Sequence, residues 1–268
     1  MKVVILAGGE GRRFPGEIST RPKPMAEIGG KPLLWHIMNI YAGQGHKEFL
    51  VACGYKGEMI KEYFHDVFMH NNDYVLDLKN GSQQLIGSNG IDWRIGVIDT
   101  GLETQTGGRI LRLKKWIGEE TFMVTYGDRL ADVNIPSLVA FHRSHGRLAT
   151  VTAVHPPSRF GALVITGDEV IREFSEEPQA GEGWINGGFF VFEPGVFDRL
   201  SGDGTVLERE PLAGLLADKQ LMAYRHAGFW QRVDTFDDKE RLESLWASGN
   251  APWNLKPMSD VTPQKFAV

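Results

Sequence analysis

Four apolar residues near the amino terminus, Val3-Val4-Ile5-Leu6, run straight into Ala7-Gly8-Gly9-Glu10-Gly11 and two arginines, Arg12 and Arg13. A run this short and this apolar reads as a strand buried on both faces, the kind found in parallel sheets. The glycines after it let a backbone lie close to a ligand with its N–H groups free, and nests of that sort take phosphate. A polar spacer then leads to Pro22-Lys23-Pro24, a lysine between two rigid residues. Arginine and lysine supply the charge that a polyphosphate requires. A glycine turn alone is weak evidence, since a plain turn has the same composition, but Arg13 and Lys23 favour phosphate. Residues 3–25 are therefore expected to grip a nucleoside triphosphate, and the remaining chain to bring it an acceptor.

The next segments follow a strand–helix rhythm. Residues 32–41 and 56–68 carry apolar positions at helical spacing, and 49–53 and 93–99 read as strands. The alternation argues for a sheet covered by helices on both sides. Residues 74–78 read as an edge strand before a polar loop, and 109–116 as a short helix. The apolar run at 122–126 ends in Gly127-Asp128, so Asp128 falls at the carboxyl end of a strand, on the edge where open parallel sheets bind ligands. A helix over 135–145 and a strand over 149–154 follow. Residues 162–193 read as hairpins, which suggests an inserted lobe. Helices return at 208–217 and 236–246, and the tail from 252 on has little periodicity. His142 and His145, at i and i+3, lack acidic or thiol partners nearby and are expected on the surface. Phe189, Phe190, Phe192, Phe229 and Trp230 are expected in the core.

A formal net charge of −5 argues against nonspecific nucleic-acid binding. No apolar run approaches a membrane span or a secretory leader, and the single cysteine, Cys53, suits a reducing cytoplasm. Two familiar phosphate loops fail. The dinucleotide fingerprint starting at Gly9 needs glycine where Phe14 stands, and no Gly-Lys-Ser/Thr triplet follows Gly8.

What remains, Leu6-Ala-Gly-Gly-Glu-Gly-Arg-Arg13 with Pro22-Lys-Pro-Met25, resembles the signature of the nucleotidyltransferases that join nucleoside triphosphates to sugar 1-phosphates. Within them the chain is most similar to glucose-1-phosphate cytidylyltransferases. The likeness extends through EIGGKPLLWHIM (27–38), CGYKGEMIKEYF (53–64), TGGR (106–109), TYGD (125–128), RFGAL (159–163), INGGFFVFEP (185–194), GFWQRVDT (228–235) and APW (251–253). The resemblance implies an α/β fold, a Rossmann-like three-layer mixed sheet with a small β-rich acceptor-binding lobe. That gives one domain over 1–250 with the lobe at about 155–195, a tail at 251–268, and a homo-oligomer.

It also implies a reaction: CMP moves from CTP to a phosphorylated acceptor, glucose 1-phosphate or a divergent relative, and pyrophosphate leaves. A catalytically weak nucleotide-binding regulator, or the same fold using dTTP or UTP, are the competing readings. The backbone of Leu6, Ala7, Gly8, Gly9, Glu10 and Gly11 would hold ribose and phosphates, with Arg13 on the β/γ-phosphates and Lys23 on the α-phosphate. Thr106, Gly108 and Arg109 would form the base pocket, and Asp128 belongs to the nucleotide site as well. By resemblance Asp128 and Asp234 hold Mg²⁺. Each also has a plainer reading, as a turn residue and as the N-cap of the helix from Phe236. Tyr126, Arg129, Arg159, Glu177, Asn186 and Gly187 would meet the acceptor.

Four departures from the family pattern stand out. Arg12 replaces a threonine, Arg129 the last glycine of G-D-G, Glu177 the lysine of E-K-P, and Arg232 a residue that is uncharged in relatives. An anion at Glu177 would repel an acceptor phosphate unless a cation offsets it. Arg129 pairing with Glu177 is the simplest offset, and two acceptors stay open: glucose 1-phosphate unchanged, or one that is smaller or carries another anionic group.

Overall fold

The computed structural model describes residues 1–9, 21–88, 91–156, 162–165, 171–175 and 183–254, with backbone alone for 88, 162–165 and 171–175. Val3–Leu6 stands at the middle of an eight-stranded mixed sheet. It pairs in parallel with Glu48–Cys53 on one side and Phe122–Tyr126 on the other. Glu48–Cys53 pairs with Arg94–Asp99, again in parallel, while Phe190–Phe192 lies antiparallel on Phe122–Tyr126. Ala149–Val154, Ile185–Asn186 and Leu221–His226 complete the sheet.

The central strand is apolar throughout because both its faces are covered. Val3 and Ile5 pack with Leu34, Ile37 and Tyr41 of the helix Leu33–Ala42. Val4 and Leu6 pack with Ile110, Leu113 and Phe197 on the opposite face. Helices on both faces of a sheet make the three-layer architecture. The parallel strands share one carboxyl edge, where Leu6 lies level with Ala52 and Tyr126.

Four details differ from the expectations. Residues 74–78 join no edge of the main sheet; Asn72–Asp77 and Ser82–Ser88 form a separate two-stranded hairpin. Its Val75, Leu76, Leu85 and Ile86 are exposed, and a strand without an apolar partner face has no reason to dock on the sheet. Second, the hairpin Ala162–Ile165/Ile171–Ser175 stands apart, whereas Ile185–Asn186 and Phe190–Phe192 belong to the central sheet. Third, the tail begins anchored: Trp253 is buried, stacks on Phe229 and donates to His36 Nδ1 at 3.3 Å. Residues 255–268 lie outside the described residues.

The fourth correction concerns His142. It is fully buried, with Nδ1 at 2.8 Å from Thr150 Oγ1 and Nε2 at 3.1 Å from Glu193 Oε1. Spacing on a helix does not reveal which face the sheet covers. Burial lowers its pKa from 6.5, outweighing the pull of Glu193, and burial lowers that of His36 as well. An unfolded chain therefore binds protons that the folded one refuses. The stabilisation is whole above the unfolded value and is lost as pH falls below it. Thermal melts should show the midpoint falling between pH 7.5 and 5.5, with a smaller fall in His142→Asn; equal midpoints would contradict this.

Among the described residues no helix is long and apolar enough to cross a membrane. Cys53 is buried, which pushes its thiol up to about 12, so it behaves as a small core residue.

Candidate active site

A cleft of about 630 Å³ opens at the carboxyl edge of the sheet. Leu6, Ala7, Gly8 and Gly9 form one wall; Thr106 and Arg109 a second; Tyr126, Asp128 and Arg129 a third; Lys23, Arg232 and Asp234 close it. Residues up to 228 positions apart in sequence thus face one cavity: Leu6 and Tyr126 end parallel strands, Thr106 and Arg109 come from the helix Thr106–Arg112, and Asp234 follows the strand Trp230–Arg232, which pairs with Arg129–Ala131.

The glycines have separable roles. Gly9 is exposed with open space around it, and among the described residues the Gly8 and Gly9 N–H groups have no partner, as a phosphate nest requires. Gly8 serves a second purpose. A Cβ there would lie 2.2 Å from Arg109 Nη1, and one at Gly54 would lie 2.6 Å from the same atom. Arg109 is buried between them and donates to the carbonyls of Cys53, Gly8, Gly101 and Leu102 and to Thr100 Oγ1, at 2.7–3.1 Å. Its guanidinium ties the glycine turn to the 99–102 turn, and burial lowers its pKa. Gly108 packs on the backbone of Asp203 and does not line the cleft.

Lys23 sits in a short 3-10 turn, Lys23–Met25, fixed by Met25 N–H to Pro22 O and Ala26 N–H to Lys23 O. Its Nζ donates to Asp128 Oδ2 at 2.7 Å and to Asp234 Oδ1 at 2.6 Å. One ammonium thus holds both carboxylates face to face. Arg232 Nε stands on the same pair, 3.2 Å from Asp128 Oδ2 and 3.1 Å from Asp234 Oδ2. Burial opposes ionisation of Asp128, but Lys23, Arg129 and Arg232 outweigh it and hold the carboxyl below its ordinary range. Asp128 is thus an anion throughout the neutral range.

Asp234 does not cap the helix Phe236–Ala247. Thr235 is the cap: its Oγ1 accepts from Asp238 N–H, and Asp238 Oδ2 accepts from the Asp234 and Thr235 amides. This capping box leaves the Asp234 side chain to the cleft. Val233 N–H donates to Asp128 O, which fastens the two carboxylate-bearing turns together.

Of the residues expected at the acceptor, Tyr126 and Arg129 line the cleft, whereas Asn186 and Gly187 lie behind them and do not. Arg129 lies 3.8 Å over the Tyr126 ring and donates to Asn186 O. Asn186 Nδ2 reaches the phenol at 3.4 Å, and Gly187 O accepts from Trp230 Nε1 at 2.8 Å. Glu208, which sequence reasoning missed, accepts from the Tyr126 hydroxyl and from Thr106 Oγ1. The sequence places it at the start of a helix over 208–217, but the helix begins at Glu210 and Glu208 lies in the turn before it. Glu10, Gly11, Arg12, Arg13, Arg159, Phe160 and Glu177 lie outside the described residues, and so does the expected Arg129–Glu177 pair.

A cleft that joins unpaired backbone amides to a lysine and two carboxylates suits a nucleotide with its metal. The family model described as nucleotidyl transferase matches residues 2–239. The chain belongs to the nucleotidyl transferase family.

This nucleotidyl transferase is 47% identical over 254 residues to a glucose-1-phosphate cytidylyltransferase of Salmonella typhimurium, covering 94% of this chain and 98% of that one. It is 46% identical over 256 residues to a probable glucose-1-phosphate cytidylyltransferase of Bacillus subtilis, covering 95% and 100%. Among solved structures, HddC of Yersinia pseudotuberculosis complexed with GMP-PN superposes with a TM-score of 0.66 at 22% identity, covering 91% of this chain and 99% of that one. A UDP-glucose pyrophosphorylase complexed with UDP-glucose gives 0.65 at 18%, covering 92% and 98%. At such identities these two speak for the fold alone.

Among the described residues no group of three or more His, Cys, Asp or Glu side chains could hold a metal. Asp128 and Asp234 are a two-carboxylate set, and Asp128 Oδ1 is buried with no hydrogen-bond partner. Such a set fits a divalent cation completed by phosphate oxygens and water.

Proposed function

We propose that this protein transfers CMP from CTP to glucose 1-phosphate and releases pyrophosphate. The observation that carries the reading is the Lys23 ammonium shared by Asp128 and Asp234 at the mouth of the glycine-lined cleft. The reaction named for the cytidylyltransferase relatives supports the choice of nucleotide and acceptor.

An oxygen of the acceptor phosphate attacks the α-phosphorus of CTP. A P–O bond forms there as the bond to the β-bridging oxygen breaks, and pyrophosphate carries away the electron pair. The nucleophile is already an anion, so no base is required, and the protein supplies alignment and charge. The Gly8 and Gly9 amides receive phosphate oxygens. Lys23, a mobile point charge on a long stem, exchanges a carboxylate contact for an α-phosphate oxygen. Thr106 and Arg109 border the nucleotide end, and Tyr126 and Arg129 the acceptor end, with Asn186 behind them. Arg13, Arg159 and Glu177 are assigned to the β/γ-phosphates and the acceptor by family likeness. Asp128 and Asp234 would hold Mg²⁺, which would supply positive charge against the phosphate oxygens.

The protein is further proposed to work in the cytoplasm as a homo-oligomer. The exposed apolar side chains of the hairpin Asn72–Asp77/Ser82–Ser88 favour a covered face, and light scattering on the purified chain tests it. The reaction itself is tested by pyrophosphate release with CTP, UTP, dTTP and GTP against glucose 1-phosphate and glucuronic acid 1-phosphate. CTP with glucose 1-phosphate should give the highest kcat/KM, abolished by EDTA and restored by Mg²⁺. Release with another pair but none with this one would replace the reading.

A further inference from the structure

We propose that Arg129 and Arg232 form the subsite for the phosphate group of the acceptor. The inference rests on the sugar-phosphate reading above and assigns residues to its acceptor end.

The strands Arg129–Ala131 and Trp230–Arg232 pair antiparallel, with Arg129 directly opposite Arg232. Like charges placed opposite one another destabilise a strand pair. Asp128 stands between them and offsets part of that repulsion. It does not account for both arginines, because Lys23 already bonds Asp128 and Asp234. Three cations therefore surround two carboxylates. Glu208, another carboxylate that lines the cleft, is engaged by Tyr126 and Thr106.

The donors tell the same story. A guanidinium has five N–H bonds in a planar fork. Arg232 spends only Nε, on the two carboxylates; its terminal nitrogens have no partner among the described residues, and its side chain is 34% exposed at the cleft wall. Arg129 spends Nη1 on Asn186 O, while its Nε is buried without a hydrogen-bond partner, 3.6 Å from Asp128 Oδ1. The ring of Tyr126 fixes the Arg129 plane at 3.8 Å without consuming a donor. Two guanidinium groups, each with a terminal nitrogen that has no partner among the described residues, stand beside the two carboxylates and match the oxygens of a phosphomonoester dianion. A phosphate held there lies next to the expected position of the α-phosphorus.

The test combines steady-state kinetics with calorimetric titration of α-glucose 1-phosphate, inorganic phosphate and glucose into wild type, Arg232→Gln, Arg232→Lys and Arg129→Gln. Each Gln variant should raise the acceptor KM on the order of tenfold or more, the size of a lost charge-assisted hydrogen bond, with the CTP KM within about twofold. Arg232→Lys should recover part of the loss, and inorganic phosphate should bind wild type but not Arg232→Gln. An unchanged acceptor KM in both Gln variants, or an equal rise for CTP, overturns the assignment. A change confined to glucuronic acid 1-phosphate overturns it too, in favour of a second anion on the acceptor. If Arg129→Gln fails to fold, Arg232→Gln decides alone. If wild type does not use glucose 1-phosphate, the function fails, while the inorganic phosphate titration still reads the subsite.

Discussion

Replacing Lys23 by alanine is expected to remove nucleotidyl transfer while leaving a folded protein. Loss of one preorganised electrostatic stabiliser costs on the order of 10²–10³ in kcat. Lys23 also holds Asp128 and Asp234 together, so the expected loss lies at or above the upper end, about 10³. Stability should suffer less. Breaking a buried ion pair costs roughly 3–5 kcal/mol when a charge is stranded. Here Arg232 still touches both carboxylates and Arg129 stands beside Asp128, which argues for about 1–3 kcal/mol in place of that. Single-turnover pyrophosphate release and urea denaturation measure the two effects. A variant with kcat within tenfold of wild type would take Lys23 out of the chemistry.

The second large effect is expected at Arg109. Arg109→Met keeps length and apolar stem but deletes five donors, in a residue only 5% exposed. An unpaired buried acceptor costs about 1–3 kcal/mol. Not every acceptor is orphaned, since Gly8 O also accepts from Tyr55 N–H and Cys53 O from Thr100. Gly101 O and Leu102 O depend on the guanidinium more heavily. Water can reach the half-exposed 101–102 turn, so a loss of roughly 2–4 kcal/mol follows from these lost bonds and the space left between Gly8 and Gly54. CTP affinity should fall with it, because the Gly8 carbonyl then keeps only the Tyr55 N–H and loses its tie to the 99–102 turn. Arg109→Lys should recover little, as one ammonium cannot reach all the acceptors. Urea midpoints and calorimetric CTP binding check both parts; wild-type values for either would show that the guanidinium is not a brace.

Arg109 also shows how far the chain could be read without coordinates. TGGR at 106–109 marked it as a nucleotide residue, and it does line the cleft, yet its donors are spent on its own backbone. A motif identifies a residue type at a place; it does not say which of two neighbouring partners the side chain reaches. His142 carries the same lesson from the other side, since i, i+3 spacing was visible and the covering sheet was not. Glu208 was legible only as the first residue of an expected helix; it precedes that helix, and its bonds to Thr106 and Tyr126 come from parts of the chain about 80 to 100 residues away.

Local order determined much else. The apolar run Val3–Leu6, the helix Leu33–Ala42 and the strand Glu48–Cys53 follow from burial period and Pro or Gly punctuation, which act within a few residues. The glycine loop, Lys23 and the strand-end Asp128 were legible for the same reason, as was the family. What only the tertiary structure decided is how the charges pair. Lys23, Asp128, Arg129, Arg232 and Asp234 meet because strand Val3–Leu6 lies against Phe122–Tyr126 and Arg129–Ala131 against Trp230–Arg232. Coulomb interactions depend on distance in space, and sequence separation says nothing of it. The glycine run after the first strand was written in consecutive residues; the opposed arginines exist only once two distant strands are side by side.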